Sequence, residues 1–321
     1  MISLVRHITG LLSAAYPEDE ARALAWWILE ETTGLTRTQI LIDCKDTTNF
    51  QKLQEFCDKN DLCLHKNRFI AQNNCSSHEN ANVSSGECQR QAASEDIQQI
   101  VDRLLKKEPI QYIFGHTLWC GLDLRLTPAT LIPRPETAEL IDRINENLQI
   151  FQSSNPQIRL LDVGTGSGCI ALALKQQHPD WHVTGLDISG EALKVARENA
   201  ARNGLEVRWL QADILTDEIE RYDLIVSNPP YIAEQERPSM DRNVLDYEPH
   251  SALFVPDDDP LRFYRRIAEL RRATWLFFEI NPRYADEMQQ MMQPLGYTDI
   301  ELYHDSYGTT RILSGRIATE G

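Results

Sequence analysis

The sequence predicts an α/β protein with a mostly parallel sheet, preceded by a smaller helical domain. From Arg159 onward, short apolar runs alternate with helix-like segments in the order βαβαβ. A glycine-rich turn over residues 164–168 joins the first of these strands to the next helix. The first hundred residues show helix patterns instead. Because strands joined by helices run parallel in one sheet, we expect helices on both of its faces.

Helix start and stop residues define the N-terminal part of the chain. Residues 17–20, Pro-Glu-Asp-Glu, place a proline and acidic side chains where a helix begins, and Gly34 is typical of a helix end. Thr36 is predicted to cap a second helix, and a third is predicted over residues 50–58. A fourth, amphipathic helix is predicted over residues 94–108, between a serine cap and a proline.

The predicted domain boundaries follow from changes in composition. Residues 1–108 form the helical domain, residues 109–135 a β-hairpin linker, and residues 136–321 the α/β domain. Within the helical domain, residues 71–93 are rich in asparagine, serine and glutamine and contain almost no large apolar side chain. Burial cannot offset the entropy of ordering such a stretch, so we expect a mobile polar loop there.

The hairpin prediction comes from residues 111–132, which are β-like and are interrupted at Gly115 and Gly121. Leucines alternate at positions 122, 124 and 126, which is typical of a half-buried strand. Residues 133–136, Pro-Arg-Pro-Glu, end this segment and begin a helix. We therefore expect a two-stranded hairpin that leads directly into the α/β domain.

The α/β domain shows five apolar runs that read as buried strands. They are Leu160–Val163, His182–Leu186, Val207–Leu210, Tyr222–Ser227 and Trp275–Ile280. Helices are predicted over residues 167–177 and 190–203, between the first three strands. Polar residues at the carboxyl ends of these strands are therefore expected to meet at one edge of the sheet.

Composition argues against a nucleic-acid or membrane protein. The 321 residues carry a net charge of -16, whereas a duplex-binding surface must be cationic to neutralise phosphates. No apolar run approaches the roughly 20 residues of a membrane-spanning helix, and the first residues lack a clear signal-peptide cleavage motif. We expect a cytoplasmic protein without direct nucleic-acid contact, acting as a monomer.

The seven cysteines do not form a metal-binding or disulfide pattern. Their number is odd, and none stands in a C-x-x-C pair. Five lie between Cys44 and Cys88, so a metal site there is the alternative to ordinary reduced thiols. We expect reduced thiols and no metal.

The most informative segment is residues 228–231, Asn-Pro-Pro-Tyr, which directly follows a predicted buried strand. Two consecutive prolines remove two N–H donors and fix two φ angles. We expect this stiff turn to present the Asn228 side chain and the Pro229 carbonyl in the same direction. Two neighbouring acceptors match a planar –NH2 group, so the sequence predicts chemistry on an amide or an exocyclic amine.

A glycine turn and an acidic residue are typical of a nucleotide-like cofactor site. The turn consists of Gly164, Thr165, Gly166, Ser167 and Gly168. Its glycines allow a ligand to approach the backbone, and Asp187 ends the next strand, where a carboxylate can hold both ribose hydroxyls. The structural alternatives are an ordinary tight turn and a helix cap near Ser189. A nicotinamide site would use similar residues, but this loop is shorter than G-x-G-x-x-G.

Three further residues are candidates at the same edge. Asp213 follows the third strand, where its carboxylate is placed to accept from an adenine amino group, and Ile214 is placed to pack on the ring. The alternative for Asp213 is a surface acid at a strand end. Asp162 lies inside the first strand, where it either steadies the glycine loop, reaches the cofactor, or is purely structural.

Taken together, these motifs resemble a class I S-adenosylmethionine-dependent methyltransferase. The resemblance rests on residues 162–168, Asp187 and residues 228–231. Residues 111–115, Gln-Tyr-Ile-Phe-Gly, and residues 132–137, Ile-Pro-Arg-Pro-Glu-Thr, narrow it further to the HemK/PrmC family, as does Tyr-Glu-Pro at 247–249. Members of this family methylate a glutamine in peptide-chain release factors. The resemblance covers nearly the whole chain from about Glu108 and, more loosely, the N-terminal helices.

The resemblance implies a mostly parallel sheet of seven strands, S-adenosylmethionine as cofactor, and a helical domain that helps dock the protein substrate. The implied substrate is the glutamine of the Gly-Gly-Gln motif in class 1 release factors. The implied cofactor residues are Gly164, Thr165, Gly166, Ser167, Gly168, Asp187, Ile188, Asp213, Ile214 and Asn228. The implied substrate residues are Asn228, Pro229, Pro230 and Tyr231, of which Asn228, Pro229 and Tyr231 are also the catalytic candidates.

The Pro-Arg-Pro-Glu-Thr segment adds three candidate substrate residues. Glu136 and Thr137 begin a predicted helix, where they either line the ligand site or cap the loop. Arg134 either pairs with an acid in the same loop or contacts the substrate backbone. One departure from the family lies at Asn281-Pro282, where relatives often have glycine; we expect it to touch no catalytic residue.

Two other substrates remain open at this stage. A ribosomal protein would present the same glutamine amide, and the N-terminal domain would decide between the two proteins. A nucleic-acid adenine would present a similar –NH2 group, but such an enzyme needs base flipping and a cationic duplex-binding surface. The acidic composition disfavours this second alternative.

Asn228→Ala is expected to reduce methyl-transfer turnover by about 10²–10³, because it removes one hydrogen bond that strengthens in the transition state. Steady-state kinetics with labelled S-adenosylmethionine would measure the loss. A change of less than about threefold would be far below the loss of such a bond and would contradict the role assigned to Asn228.

Overall fold

The computed structural model of the chain describes residues 2–42, 97–147 and 157–317. The described residues fall into two compact units that are divided between Phe114 and Gly115. The predicted helix over residues 50–58, the polar loop over residues 71–93 and the serine cap at Ser94 lie outside the described residues. Among the described helices, none has the length and hydrophobicity that crossing a membrane requires.

The first unit is helical over its described residues. Its helices are α1 (Ile2–Leu12), α2 (Glu18–Thr33), α3 (Arg37–Ile42), α4 (Ile97–Leu105) and α5 (Ile110–Phe114). Gly34 ends α2 in the left-handed conformation, as the sequence indicates. Thr36 and Gln39 cap α3 reciprocally, because the Gln39 N–H donates to Thr36 Oγ1 and the Thr36 N–H to Gln39 Oε1. Apolar residues of α1, α2 and α4 form the core of this unit.

The predicted β-like segment begins too early. Residues Ile110–Phe114 are a helix, because the Pro109 carbonyl accepts hydrogen bonds from Tyr112 N and Ile113 N and so closes a helical turn. Proline fixes φ near the helical value and loses no hydrogen bond at a helix start. The hairpin itself is present, as β1 (His116–Trp119) and β2 (Leu122–Arg125) joined by the two-residue turn Cys120-Gly121. Both turn residues have positive φ, which matches the twist of the strands.

The second unit contains the hairpin and the α/β domain. After β2 its helices are α6 (Pro135–Glu146), α7 (Cys169–Gln177), α8 (Gly190–Arg202), α9 (Arg242–Tyr247), α10 (Arg262–Leu270) and α11 (Ala285–Met292). Its further strands are β3 (Arg159–Val163), β4 (His182–Asp187), β5 (Arg208–Gln211), β6 (Tyr222–Ser227), β7 (Ile232–Ala233), β8 (Phe254–Val255), β9 (Ala273–Glu279), β10 (Tyr297–His304) and β11 (Thr310–Ile317). The five strands predicted from apolar runs are all present.

Seven strands form one sheet in the order β10-β11-β9-β6-β3-β4-β5. All neighbours from β9 to β5 are parallel, and β11 alone runs against them. The prediction of a mostly parallel, seven-stranded sheet is therefore confirmed. β3 lies between β6 and β4, and the strand order reverses at this point. Open parallel sheets form a ligand crevice at such a reversal, outside the carboxyl ends of the strands.

Alternate residues of each strand fill two cores, one on each face. Leu160, Val226 and Phe277 face a core formed with α6, α7 and the hairpin. Leu161 and Phe278 face the other core, formed with α10 and α11. These strands are continuously apolar because both of their faces are covered, and this explains why the sequence identified them.

The hairpin is fixed to α8 by two asparagine side chains, one within the helix and one directly after it. Asn199 Oδ1 accepts from Arg125 N, and Asn199 Nδ2 donates to the Arg125 carbonyl. Asn203 makes the same pair of bonds to the backbone of Asp123. The sequence-based division at residues 108 and 135 differs from this arrangement, since the hairpin is part of the second unit and α5 is part of the first.

The Trp209 ring lies close to two glycines of the sheet and the cofactor loop. A Cβ at Gly185 would lie 2.4 Å from the Trp209 ring, and a Cβ at Gly168 would lie 2.9 Å from it. Gly185 has a φ that other residues adopt readily, so its requirement for glycine is one of space alone. A packed ring of this kind holds the base of the glycine loop in a fixed position.

Gly185→Ala is expected to lower the free energy of unfolding by about 1–3 kcal/mol, because the added methyl group overlaps the Trp209 ring. Urea denaturation would measure the change. Gly190→Ala is the matched control, since its nearest atoms lie 3.4 Å away at the end of the Gln211 side chain. Equal stability of the two variants would contradict the packing role of Gly185.

Candidate active site

The carboxyl ends of four adjacent strands bring the predicted cofactor residues to one edge of the sheet. The glycine turn follows β3, Asp187 ends β4, Asp213 follows β5 and Asn228 follows β6. The strands are aligned, with Val163 beside both Ser227 and Leu186. The Ser227 hydroxyl also donates to the Val163 carbonyl at 2.7 Å, which joins the start of the Asn-Pro-Pro-Tyr turn to the start of the glycine turn.

The glycine turn has an open side and a packed side. Gly164, Gly166 and Gly168 all have positive φ, which explains the choice of glycine at each. A Cβ at Gly164 would meet nothing within 4 Å, whereas one at Gly168 would overlap Trp209. The N–H groups of Gly164 and Thr165 both donate to the Leu186 carbonyl, so the turn is held against β4.

Asp187 orders the loops on both sides of the crevice. Its Oδ2 accepts from Gly166 N and its Oδ1 from Ser189 N, each at 2.9 Å. Burial raises the pKa of the Asp187 carboxyl, and these backbone hydrogen bonds oppose the shift. The Ser189 hydroxyl caps α8 by accepting from Ala192 N. The residue that caps α8 is therefore Ser189. Asp187 supports this cap because it accepts a hydrogen bond from Ser189 N.

Asp162 is fully buried beneath the same turn. Its Oδ2 accepts from Thr165 Oγ1 at 2.6 Å and from Ala171 N at 3.2 Å, so it steadies the loop as one of the alternatives predicts. Burial raises the pKa of Asp162 to about 7, against the effect of these bonds. The buried atoms without a hydrogen-bond partner in the described part of the chain include Asp162 Oδ1. A buried carboxylate oxygen without a partner is unusual and is consistent with a polar ligand at this edge.

The third strand end differs from the prediction in detail. Asp213 Oδ1 accepts from Leu215 N at 2.9 Å and so stabilises the turn that follows β5. Ile214 is 5% exposed and belongs to the core. Ile188 is 61% exposed and is the large apolar side chain open to solvent beside Asp187. Ile188 is therefore better placed than Ile214 to cover a flat ring.

The Asn-Pro-Pro-Tyr turn lies at the next strand end. Asn228 Nδ2 donates to Thr137 Oγ1 at 3.3 Å, and the Tyr231 hydroxyl donates to Glu279 Oε1 at 3.2 Å. Pro229 is buried, and Asn228, Pro230 and Tyr231 are partly exposed. None of the described hydrogen bonds ends on Asn228 Oδ1 or on the Pro229 carbonyl oxygen. The two predicted acceptors thus retain their capacity to bind a donor.

Glu279 is a site residue that the sequence analysis missed. It ends β9, is 2% exposed, and accepts from Thr137 Oγ1 at 2.7 Å as well as from Tyr231. Burial raises the pKa of the Glu279 carboxyl, while the bonds from Thr137 and Tyr231 and the charge of Arg311 lower it. One feature of the sequence indicated that Glu279 has a special role. It is a glutamate inside the apolar run Trp-Leu-Phe-Phe-Glu-Ile, and a buried charge requires partners.

Asn281 corrects one expectation, since it does contact a candidate catalytic residue. Its Nδ2 donates to the Tyr231 carbonyl at 3.2 Å and to Glu236 Oε1 at 3.2 Å. Glu236 Oε1 in turn accepts from Ala233 N at 3.0 Å. Asparagine at this position therefore holds the backbone directly after the two prolines.

Arg134 pairs with an acid that is distant in sequence. Its guanidinium donates to Glu248 Oε1 at 2.5 Å, and Glu248 Oε2 accepts from Ile132 N at 3.2 Å. Glu248 is 4% exposed, so this ion pair fixes the Pro-Arg-Pro-Glu segment to the loop after α9. Glu136 lies in the first turn of α6 and acts electrostatically on Glu279. Thr137, by contrast, is the direct contact of Asn228.

The described residues contain no group of three or more His, Cys, Asp or Glu side chains that is arranged to hold a metal ion. The five cysteines between Cys44 and Cys88 lie outside the described ranges. Cys120 and Cys169 are free thiols, and burial together with the nearby Asp162 raises the pKa of Cys169 to about 12. A thiol of this kind stays protonated, and it is not a nucleophile.

The chain matches a known protein family in sequence and a solved structure in fold. Residues 141–246 match the family described as Methyltransferase small domain. A solved structure of the hMettl16 catalytic domain in complex with MAT2A 3′UTR hairpin 6 aligns with a TM-score of 0.50 at 14% identity, covering 62% of this chain and 77% of that one. At this identity the likeness shows the fold alone. The fold is that of class I methyltransferases, and the matched family is a methyltransferase domain.

More similar relatives narrow this class. A release factor glutamine methyltransferase from Bacteroides thetaiotaomicron is 48% identical over 228 residues, covering 68% of this chain and 80% of the relative. A protein of the same name from Flavobacterium psychrophilum is 42% identical over 219 residues, covering 66% of this chain and 76% of the relative. The chain belongs to the release factor glutamine methyltransferase family, and the resemblance drawn from its motifs is confirmed.

Arg134→Ala is expected to lower the free energy of unfolding by about 3–5 kcal/mol, because it leaves the Glu248 carboxylate buried without its partner. The double variant Arg134→Ala/Glu248→Gln should recover part of this loss, and chemical denaturation of all the variants would measure it. An Arg134→Ala protein of unchanged stability but raised KM for a protein substrate would instead support direct contact with the substrate.

Proposed function

We propose that this protein transfers a methyl group from S-adenosylmethionine to the side-chain amide nitrogen of a glutamine, in the Gly-Gly-Gln motif of a class 1 peptide-chain release factor. The observation that carries the proposal is the pair of acceptors at the end of β6, Asn228 Oδ1 and the Pro229 carbonyl. Family membership supports the protein substrate, because the relatives are named for release factors. The proposed site of action is translation termination, which implies a cytoplasmic location.

The residues at the carboxyl edge fit S-adenosylmethionine. We assign Asp187 to the ribose hydroxyls, Ile188, which is exposed, to the adenine ring, and the open face of Gly164 and Gly166 to close approach of the ligand to the backbone. The unpartnered Asp162 Oδ1 supports a polar ligand group nearby. When bound, the cofactor supplies an electrophilic methyl group on a sulfonium. We retain Asp213 as a second acceptor through Oδ2, since Oδ1 is engaged with Leu215 N.

The task of the protein is to orient a poor nucleophile. An amide nitrogen is weakly nucleophilic because its lone pair is delocalised into the carbonyl. Asn228 Oδ1 and the Pro229 carbonyl each accept one N–H of the substrate amide, which fixes its plane and brings one face of the nitrogen into line for displacement. Both bonds strengthen as positive charge grows on nitrogen, so they favour the transition state over the ground state.

No general base is needed in this scheme. The methylated amide carries a positive charge and is strongly acidic, so water accepts its proton. Tyr231 packs beside the substrate amide, and its hydroxyl is committed to Glu279 at 3.2 Å. Burial and the Glu279 charge raise the pKa of Tyr231, which keeps the phenol protonated and leaves it unsuited to accept a proton.

The arginine-rich helix α10 and the residues after it do not favour a nucleic-acid substrate. Arg265 pairs with Asp259 at 2.7 Å, and Arg272 pairs with Glu218 at 3.0 Å. Arg266 donates to the Ile214 carbonyl at 3.2 Å. These cations are already engaged by the protein itself, and the net charge of the chain is -16. A phosphate backbone would have to displace these partners.

A labelling experiment separates the candidate substrates. Labelled S-adenosylmethionine is supplied with a class 1 release factor, with the same factor carrying Gln→Ala in its Gly-Gly-Gln motif, with ribosomal proteins, and with adenine-containing duplex DNA. The proposal predicts label on the intact release factor and none on its Gln→Ala variant. The Asn228→Ala protein is the control for transfer by this site.

Three results would contradict the proposal. Label on the Gln→Ala release factor would place the reaction on another side chain. Label on a ribosomal protein in preference to the release factor would transfer the same chemistry to a different protein. Label on DNA would favour the adenine alternative.

A further inference from the structure

One buried charge near the proposed site has no part in the reaction as described above. Glu279 lies at the end of β9, next to β6, with Phe278 beside Ser227 in the parallel register. Glu279 is 2% exposed, and its carboxylate contacts the Asn-Pro-Pro-Tyr turn directly at the Tyr231 hydroxyl and reaches Asn228 through Thr137. Burying a carboxylate is costly unless several hydrogen bonds compensate it, so its placement here calls for a reason.

The hydrogen bonds around Glu279 have a fixed direction. An ionised carboxylate only accepts, so the single hydroxyl hydrogen of Thr137 is donated to Glu279 Oε2 at 2.7 Å. Thr137 Oγ1 can then only accept from Asn228, and it takes the Nδ2 group at 3.3 Å. Rotation of the Asn228 amide by half a turn would place Oδ1 against Thr137 Oγ1, and two acceptors would face each other.

We propose that Glu279 is a positioning residue, which acts through Thr137 to hold the Asn228 amide with Oδ1 directed to the substrate nitrogen. The inference rests on the proposed function, since it assigns the cause of the orientation that methyl transfer requires. An asparagine amide has donors on one side and an acceptor on the other, and only the acceptor side fits a substrate –NH2 group. Through Thr137, Glu279 holds the amide so that its acceptor side faces the substrate. Its second oxygen holds the Tyr231 hydroxyl, so one carboxylate orders both ends of the turn.

The orientation of the Asn228 amide depends on the negative charge of Glu279. A protonated carboxyl can donate to Thr137, whose hydroxyl hydrogen is then free to point at Asn228, and the amide is no longer held with Oδ1 outward. The groups that face Glu279 are Tyr231, Tyr264, Arg311 and Glu136. Burial raises the pKa of Glu279 above that of an ordinary glutamate. The ionised form is the productive one, so kcat should rise with pH through this elevated pKa.

The test compares kcat and KM for methyl transfer to the release factor across the acid and neutral pH range. Thr137→Val keeps the shape of the side chain and removes the hydroxyl, and it should lower kcat about tenfold, the equivalent of one hydrogen bond. KM for S-adenosylmethionine should not change. Thr137→Ser, which restores the hydroxyl, should recover most of the lost kcat. Glu279→Gln should lower kcat at neutral pH and remove the acid limb of its pH profile.

Thr184→Val is the matched control for the substitution itself. Thr184 is a buried threonine of β4 that has no part in the proposed site, so its replacement should leave kcat unchanged. Should Thr137→Val fail to fold, the pH profile of Glu279→Gln, read beside the stability of each variant, remains a decisive measurement. A purely structural role for Glu279 would change stability without removing the acid limb.

Two failures can be told apart. If Asn228→Ala is severely impaired while Thr137→Val and Glu279→Gln keep the wild-type kcat and pH profile, the positioning role is overturned and the proposed function stands. If Asn228→Ala retains wild-type turnover, the assignment of the substrate site fails, and the role of Glu279 fails with it.

Discussion

The alignment of parallel strands at one edge of the sheet is the constraint on which the site depends. Parallel strands end at the same edge, and β3 lies at the centre with β6 on one side and β4 on the other. The segments after these three strands therefore emerge side by side, although residues 164 and 228 are far apart in sequence. A change of register in β3 would separate the glycine turn from the Asn-Pro-Pro-Tyr turn. Chemistry at this edge is a consequence of how the sheet is wound.

Buried carboxylates at this edge fix the conformation of the loops that follow the strands. Asp162 holds Thr165 and Ala171, and Asp187 holds Gly166 and Ser189. Glu279 does the same on the other side through two hydroxyl groups, whereas Asp187 accepts from two backbone amides and Asp162 from one hydroxyl and one amide. Each charge is removed from water and has its pKa raised by burial, so each depends on the bonds that it accepts.

The central sheet was predictable because its strands are buried on both faces and therefore read as continuous apolar runs. The edge strand β10 gave no such run, since its residues alternate irregularly between exposed and half-buried positions. Helix α5 was mistaken for a strand because a five-residue segment with four large apolar side chains shows no clear period. The candidate site residues follow these strands, so the same apolar runs indicated their positions.

The missed and misjudged residues share a physical cause, which is a partner remote in sequence. Glu279 bonds to Thr137 across 142 residues, and Arg134 bonds to Glu248 across 114 residues. No local pattern encodes such pairs, and only the fold brings them together. Asn281 was expected to contact no catalytic residue for the same reason. Its contact with the Tyr231 carbonyl depends on how β6 and β9 end. Sequence motifs thus indicated the candidate site, whereas the polar network around it required the structure.

The most direct measurement is a crystal structure of the full chain with S-adenosylhomocysteine and a release factor bound. The account predicts that the nitrogen of the substrate glutamine lies within about 3 Å of both Asn228 Oδ1 and the Pro229 carbonyl oxygen, the distance of a hydrogen bond. A complex in which that nitrogen is bound elsewhere, while the two oxygens face solvent, would contradict the account.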